Sequence, residues 1–160
     1  MRPLQKNAAK HAIEEIPILA GQITPLMPPV PAHRSIFTKL MIDLNALCSM
    51  ARNHAGWQPF NDEIIVMKGV SDVLHAIDWV RDGLCHPERE KFGAYRQDSS
   101  EGSRIELLVI QGNMALWRGG PENPHADDLA VFFGPQRLFW KRHLTRAFTE
   151  ARAKLLPFLD

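Results

Sequence analysis

Cysteine is nearly absent, with Cys48 and Cys85 the only two in 160 residues. That excludes a small secreted fold stapled by disulfides, and neither cysteine has the paired spacing of a zinc site. Both read as reduced thiols in a cytoplasmic protein that calls for no metal and no cofactor. A long apolar run is also lacking: none approaches the roughly 20 residues needed to span a bilayer, and no charged start leads through an apolar stretch to a small-residue cleavage site. A soluble chain with no membrane partner, and not a secreted one, is expected. Charge of one sign is missing too. The formal net charge of +1 excludes a protein that binds nucleic acid non-specifically over its whole surface, while leaving local basic patches open.

What is present suits one domain with a real core, since 45% of the residues are hydrophobic and a chain of this size buries roughly two thirds of its unfolded surface. The first 34 residues stand apart. QKNAAKHAIEEI can form a short helix, after which Pro17, Pro25, Pro28, Pro29 and Pro31 predict an extended, proline-rich arm over PILAGQITPLMPPVPAHR. Its Ile18, Leu19, Ile23, Leu26, Met27 and Val30 are too apolar for a free linker, so the arm should lie along the body of the domain or against a second subunit.

Residues 35–160 read as the domain proper. Behind Ser35 as a plausible N-cap, Ile36, Phe37, Leu40, Met41, Leu44, Leu47, Cys48 and Ala51 mark an amphipathic helix over about 36–54. Cys48 falls on its apolar side and reads as a buried, inert thiol. Next comes the stretch around which the chain is organised, NDEIIVMKGVSDVLHAIDWVRDGLCHPERE. Val66, Val70, Val73, Ile77, Val80 and Leu84 recur at three- and four-residue steps and predict a helix of about six turns from Asn61 to His86. Pro87 stops it. The two helices should pack as an antiparallel hairpin.

Beyond Pro87 the polar KFGAYRQDSSEGS reads as a loop. RIELLVIQG and NMALWRGG predict strands joined at Gly112–Asn113, and DLAVFFGPQRLFW two more joined at Gly134–Pro135. A last helix follows over about 140–156, with Trp140, Leu144, Ala147, Phe148, Ala151 and Leu155 on one face. The fold class expected is therefore mostly α (α+β), with a small antiparallel sheet inserted at about 104–139, before the last helix.

The organising helix runs out beside Arg81, Asp82, Cys85 and His86. A guanidinium, a carboxylate, a thiol and an imidazole gathered there form the best site candidate in the chain. The arrangement WVRDGLCHPE resembles the motif of the HEPN superfamily, helical proteins that include metal-independent ribonucleases of toxin–antitoxin and antiviral systems. In that motif an arginine and a polar neighbour are followed by a histidine at the end of a bundle helix. Arg81, Asp82 and His86 occupy those places, with four residues between the arginine and the histidine. Arg137 and His143 share a similar spacing, but a leucine follows that arginine and the pair straddles a strand end and a helix start.

The resemblance implies an HEPN-like helical bundle formed by the helices at about 36–54, 61–86 and 140–156, and a catalytic site of Arg81, Asp82 and His86. Such chemistry suits these residue types. Histidine titrates near neutral pH and can take the proton of a ribose 2′-hydroxyl, while arginine offers a permanent charge and a planar fork to phosphate oxygens. Asp82 would orient one of them. Positions five apart on a helix lie about 140° apart, so Arg81 and His86 converge only if the helix end bends or two chains share the site. The resemblance implies the second, a homodimer with both motifs facing one cleft. RNA is then the expected substrate, and an antitoxin or other protein a possible partner.

A structural reading serves the same residues: Arg81 pairing with Asp78 or Asp82, and His86 capping the helix end. A non-catalytic helical module for dimerisation or interaction, binding a protein or nucleotide, is the functional alternative. Lys141, Arg142 and Arg146 are the candidate nucleic-acid contacts of the last helix. Lys141 and Arg142 sit in its first turn, where the macrodipole disfavours cations, and so need an anion, either Asp127 and Asp128 or a phosphate backbone. The four tryptophans, Trp57, Trp79, Trp117 and Trp140, read as core or interface anchors.

Overall fold

A computed structural model describes residues 1–23, 31–99, 102–112 and 122–159. Its architecture is mostly α with a small antiparallel sheet, the α+β class expected from the sequence. Helix α1 spans Pro3–Gln22 and α2 spans Pro31–Ala55. Helix α2 is the central element, packed against α1, against α3 (Val73–Cys85) and against the last helix, α4 (Arg146–Leu155). Its buried stripe is the one its sequence marks, with Phe37, Leu40, Met41, Leu44, Leu47, Cys48 and Ala51 buried and Ile36 only partly so.

The arm departs from expectation. Helix α1 continues through Pro17 to Gln22, and α2 already begins at Pro31, so the extended arm is not seen over 17–23 or 31–34; residues 24–30 lie outside those described. A proline inside a helix costs about 3 kcal/mol through its missing N–H and its ring. Here Ala9, Ala12 and Ile16 form a buried stripe, joined by Ile23 just past the helix end, and their packing against the core outweighs that local cost.

The organising helix is shorter than its apolar period suggests. It starts at Val73, where the Asp72 carboxylate accepts the His75 backbone N–H at 2.9 Å. Residues 61–72 are turns with an isolated bridge between Met67 and Val70. Three β-branched residues in a row, Ile64, Ile65 and Val66, resist helix formation. Positive φ at Glu63 (55°) and Gly69 (85°) breaks any helical run. Val66, placed on the buried stripe by spacing, is 68% exposed, whereas Val70, Val73, Ile77, Val80 and Leu84 are buried as expected.

After α3 the chain makes a 3-10 turn, Glu90–Tyr95, and a hairpin of β1 (Arg96–Ser99) with β2 (Gly102–Ile105), where a loop was expected. Strands β3 (Leu107–Gln111), β4 (Leu129–Phe133) and β5 (Gln136–Phe139) form the sheet in sequence order, all antiparallel, with Val109 opposite Val131 and Val131 opposite Leu138. Strands β4 and β5 turn at Gly134–Pro135 as the sequence predicts, with Gly134 at φ 55°. The strand expected over NMALWRGG lies outside the described residues. One face of the sheet, with Leu107, Val109, Val131, Phe133 and Leu138, joins the core shared with Trp79 and Phe92 of α3 and the following turn.

The last helix begins irregularly. Trp140–Thr145 is a π-helical segment that runs into α4. Two side chains set this entry. The buried Asp128 carboxylate accepts the backbone N–H groups of Leu129, Lys141 and Arg142 at 2.8, 2.8 and 3.1 Å, satisfying donors that a helix start leaves free. His143 accepts the Phe139 N–H on Nδ1 at 3.0 Å. No helix of the described residues is long and apolar enough to cross a membrane.

Candidate functional site

Helix α3 stays regular through Cys85 and ends at His86, whose backbone (φ −136°, ψ 59°) has left the helix while its N–H still reaches the Asp82 carbonyl at 2.7 Å. Pro87 enforces that ending. The three candidate residues then face three different surroundings. Arg81 turns back along its own helix to the Asp78 carboxylate, which also accepts from Asn45 of α2 at 3.1 Å. The hydrogen bond to Asp78, ahead of the charges of Asp78, Asp82 and Cys85, holds its pKa above the ordinary arginine value. Its Nε is buried without a hydrogen-bond partner among the described residues.

Asp82 is only 3% exposed. Its carboxylate receives Arg89 at 2.5 and 2.7 Å and Lys91 at 2.6 Å. Burial pushes this carboxyl up, but the hydrogen bonds and charges of Lys91 and Arg89 together outweigh it and hold it below the ordinary range. Neither Arg81 nor His86, the residues it was expected to orient, touches that carboxylate by hydrogen bond or ion pair. Its partners come from the segment that follows the motif. His86 is partly exposed, its Nδ1 3.5 Å from a Glu88 carboxylate oxygen. Among the described residues no hydrogen bond or ion pair joins Arg81 to His86.

The segment after His86 is fastened over the helix end. Arg89 and Lys91 hold Asp82, the Arg96 guanidinium donates to the Glu88 carbonyl at 3.2 Å, and the fully buried Phe92 meets Trp79 edge-on with centroids 4.9 Å apart. The site thus offers one partly exposed imidazole, an arginine whose carboxylate partner is itself half in solvent, and two cations gathered by a buried carboxylate. An imidazole can accept or donate a proton, and the cations can bind an anion. Arg89 and Lys91 went unread as site residues, although both stand in plain view in HPEREK; burial of Asp82, which recruits them, has no signature in the sequence.

The basic residues of the last helix find their anions within the chain. Arg142 pairs with Asp127 and Asp128, each at 3.1 Å, and Lys141 with the Asp127 carbonyl and carboxylate. Arg146 pairs with Asp62 at 2.6 Å and Glu150 at 2.8 Å, its guanidinium 3.8 Å from the Phe60 ring centroid. Of the two anion sources expected for Lys141 and Arg142, the acidic loop supplies the contacts.

Other reactive groups are structural. Burial, with the charge of Glu150 adding, pushes the Cys48 thiol far up, which makes it inert as expected. Trp57 and Trp79 are buried anchors. His143, in the arginine–histidine pair set aside above, is buried at the sheet–helix junction. His125 pairs with Glu63 at 2.7 Å, which ties the 123–128 loop to the 61–63 turn. Among the described residues no group of three or more His, Cys, Asp or Glu is placed to hold a metal ion. No known protein family matches this sequence, and no curated protein or solved structure is found to resemble it.

Proposed function

We propose that the chain is an HEPN-type, metal-independent endoribonuclease, active as a homodimer and suited to a toxin–antitoxin or defence role. The observation that carries this reading is the end of α3: a partly exposed His86 just past the last helical residue, with Arg81 within the final helical turns and Arg89 and Lys91 gathered beside them on Asp82. His86 takes the 2′-hydroxyl proton, and Arg81 binds the phosphate and stabilises the charge of the phosphorane. Arg81 must first exchange Asp78 for phosphate. That exchange is cheap, because Asp78 is about half exposed and an ion pair open to water is worth about 0–1 kcal/mol. Asp82 acts as a positioning residue in this scheme. A second copy supplies the convergence that Arg81 and His86 of one chain do not show.

The test is cleavage of labelled single-stranded RNA and tRNA in the presence of chelator by wild type, Arg81→Ala and His86→Ala. Wild type should cut, and each variant should lose about 100-fold or more. Mixing the two variants should restore part of the activity if the site combines Arg81 of one copy with His86 of the other. Equal cutting by all three, or by none, rules the reading out.

The second reading, a non-catalytic interaction module, draws support from the charge pairing: Arg81, Lys141, Arg142 and Arg146 all have carboxylate partners within the chain. It predicts a homodimer or partner complex with harmless overexpression and no cellular effect of His86→Ala.

A further inference from the structure

Tyr95, the single tyrosine of the chain, closes the 3-10 turn that carries the segment back over the end of α3. It is 38% exposed, while the ring it meets, Trp79, is buried together with Phe92 and Phe133, which pack on that indole. The ring meets Trp79 edge-on, with centroids 6.2 Å apart and planes at 74°. Its root lies against Gly134, where an added Cβ would come within 3.4 Å of the Tyr95 Cβ and Cγ. The hydroxyl has no hydrogen-bond partner among the described residues. Tyr95 is therefore an aromatic ring fixed at its base and open on part of its surface, presented at little further entropic cost.

Its position relates it to the site. The next residue, Arg96, donates to the carbonyl of Glu88, and Glu88 is the carboxylate nearest His86. The chain from His86 to Arg96 is thus a closed loop with the imidazole at one end and the tyrosine at the other. With Asp82 its charges balance in number, Arg89, Lys91 and Arg96 against Asp82, Glu88 and Glu90. A ligand held here by long-range attraction alone is not favoured, and stacking on a neutral aromatic face is the interaction this loop has to offer.

We propose that Tyr95 is the stacking platform for an unpaired base of single-stranded RNA lying across the end of α3, an inference that rests on the ribonuclease reading for its ligand. It selects single strands because a base must leave its helix to reach the ring.

The experiment measures fluorescence anisotropy of a labelled single-stranded RNA with 2′-O-methyl groups, which lacks the hydroxyl that cleavage needs, binding to the intact protein. Tyr95→Leu should bind about tenfold more weakly, whereas Tyr95→Phe and Tyr95→Trp should stay near wild type. Probes carrying one abasic position at successive sites test the same contact without altering the protein. One of them should lose about tenfold against wild type and nothing against Tyr95→Leu. A duplex of the same sequence should bind more weakly than the single strand. The platform is overturned if Tyr95→Leu, folded by circular dichroism, binds as wild type does, if no abasic position matters, or if duplex and single strand bind alike. Tyrosine-dependent binding with no cutting of unmodified RNA in chelator upholds the platform and removes the ribonuclease. Cutting with tyrosine-independent binding does the reverse, and absence of any binding removes the platform.

Discussion

Acid should loosen the junction between the sheet and the last helix through one side chain, His143. The residue is 1% exposed. Its Nδ1 accepts the Phe139 N–H at 3.0 Å, so that nitrogen carries no proton, and its Nε2 lies 2.9 Å from the Asp62 carbonyl, so that nitrogen does. The neutral ring satisfies both partners. Protonation would place a second N–H against the Phe139 N–H and a charge between the Phe60 and Phe139 rings. Burial, opposed by the Asp62 carbonyl and the charges of Glu63 and Asp128, holds the pKa below the ordinary 6.5. The unfolded chain therefore binds the proton at a higher pH than the folded one. Stability from this residue is complete above pH 6.5, falls as the pH drops below that value, and levels off once the pH passes the folded pKa. The slope has a ceiling of about 1.4 kcal/mol per pH unit, equivalent to about 3–6 °C in melting temperature per pH unit for a chain of this size. The assay is urea unfolding of wild type and His143→Asn between pH 8 and pH 5. The asparagine offers Phe139 an acceptor but cannot titrate. Wild type should lead by about 1–3 kcal/mol at pH 8, and the lead should shrink as the pH falls below 6.5. A lead that stays constant or grows in acid refutes the tautomer assignment.

Two further substitutions probe the end of α3. Gly83→Ala puts a Cβ 2.6 Å from Phe133 Cε1 and 3.1 Å from Phe92 Cε1, both on fully buried rings. The gain of about 1 kcal/mol in helix propensity is set against about 1–3 kcal/mol of overpacking, so thermal unfolding should show a net loss of about 1 kcal/mol; a stabilised protein would contradict the ring placement. Asp82→Asn removes the anion that holds Arg89 and Lys91. Because those cations are about half exposed and can turn to water, the expected cost at pH 7 is about 1–3 kcal/mol, with faster proteolysis between Pro87 and Arg96. The wild-type carboxylate, depressed below 3.8, contributes stability that is complete above that value and is lost as the pH falls from it through the lower folded pKa. The advantage over the asparagine variant should therefore disappear in strong acid.

Helix α2 could be read almost residue by residue, because an amphipathic helix packed on three neighbours keeps a long, regular buried stripe. The same logic misled at residues 61–72. Val66 and Val70 continue the period of α3, but period records only where a side chain would point if the helix formed. The decision lay with Glu63, Gly69 and Asp72: two residues of positive φ and a carboxylate that caps the helix at its actual start. Pro17 misled in the opposite direction, since its local cost was visible and the packing that overrides it was not. In KFGAYRQDSSEGS, polarity hid a hairpin that pairs Arg96 with Ile105 through Ser99 with Gly102. The entry to the last helix was half visible: Asp127 and Asp128 were named as possible anions, but not that Asp128 would cap the helix from a buried position.

The run R-D-G-L-C-H shows why a site written in consecutive letters can come apart when folded. Each step along a helix turns the side chain by about 100°, so adjacent residues cannot share a face. Arg81 is drawn towards α2 through Asp78 and Asn45, Asp82 is carried inward, and His86, past the last helical residue, stays partly in water. Burial of Asp82 then sets the rest. A carboxylate taken out of water must be paired or protonated, and it is paired by two cations that lie outside the run, seven and nine residues further on. The same pairing closes the His86–Arg96 segment over the helix end and brings Tyr95 to its rim. The geometry at this end of the molecule therefore depends less on Arg81, Asp82 and His86 as a unit than on the loop Asp82 holds in place. In the ribonuclease proposed above, it is a second copy that completes the arginine–histidine pair.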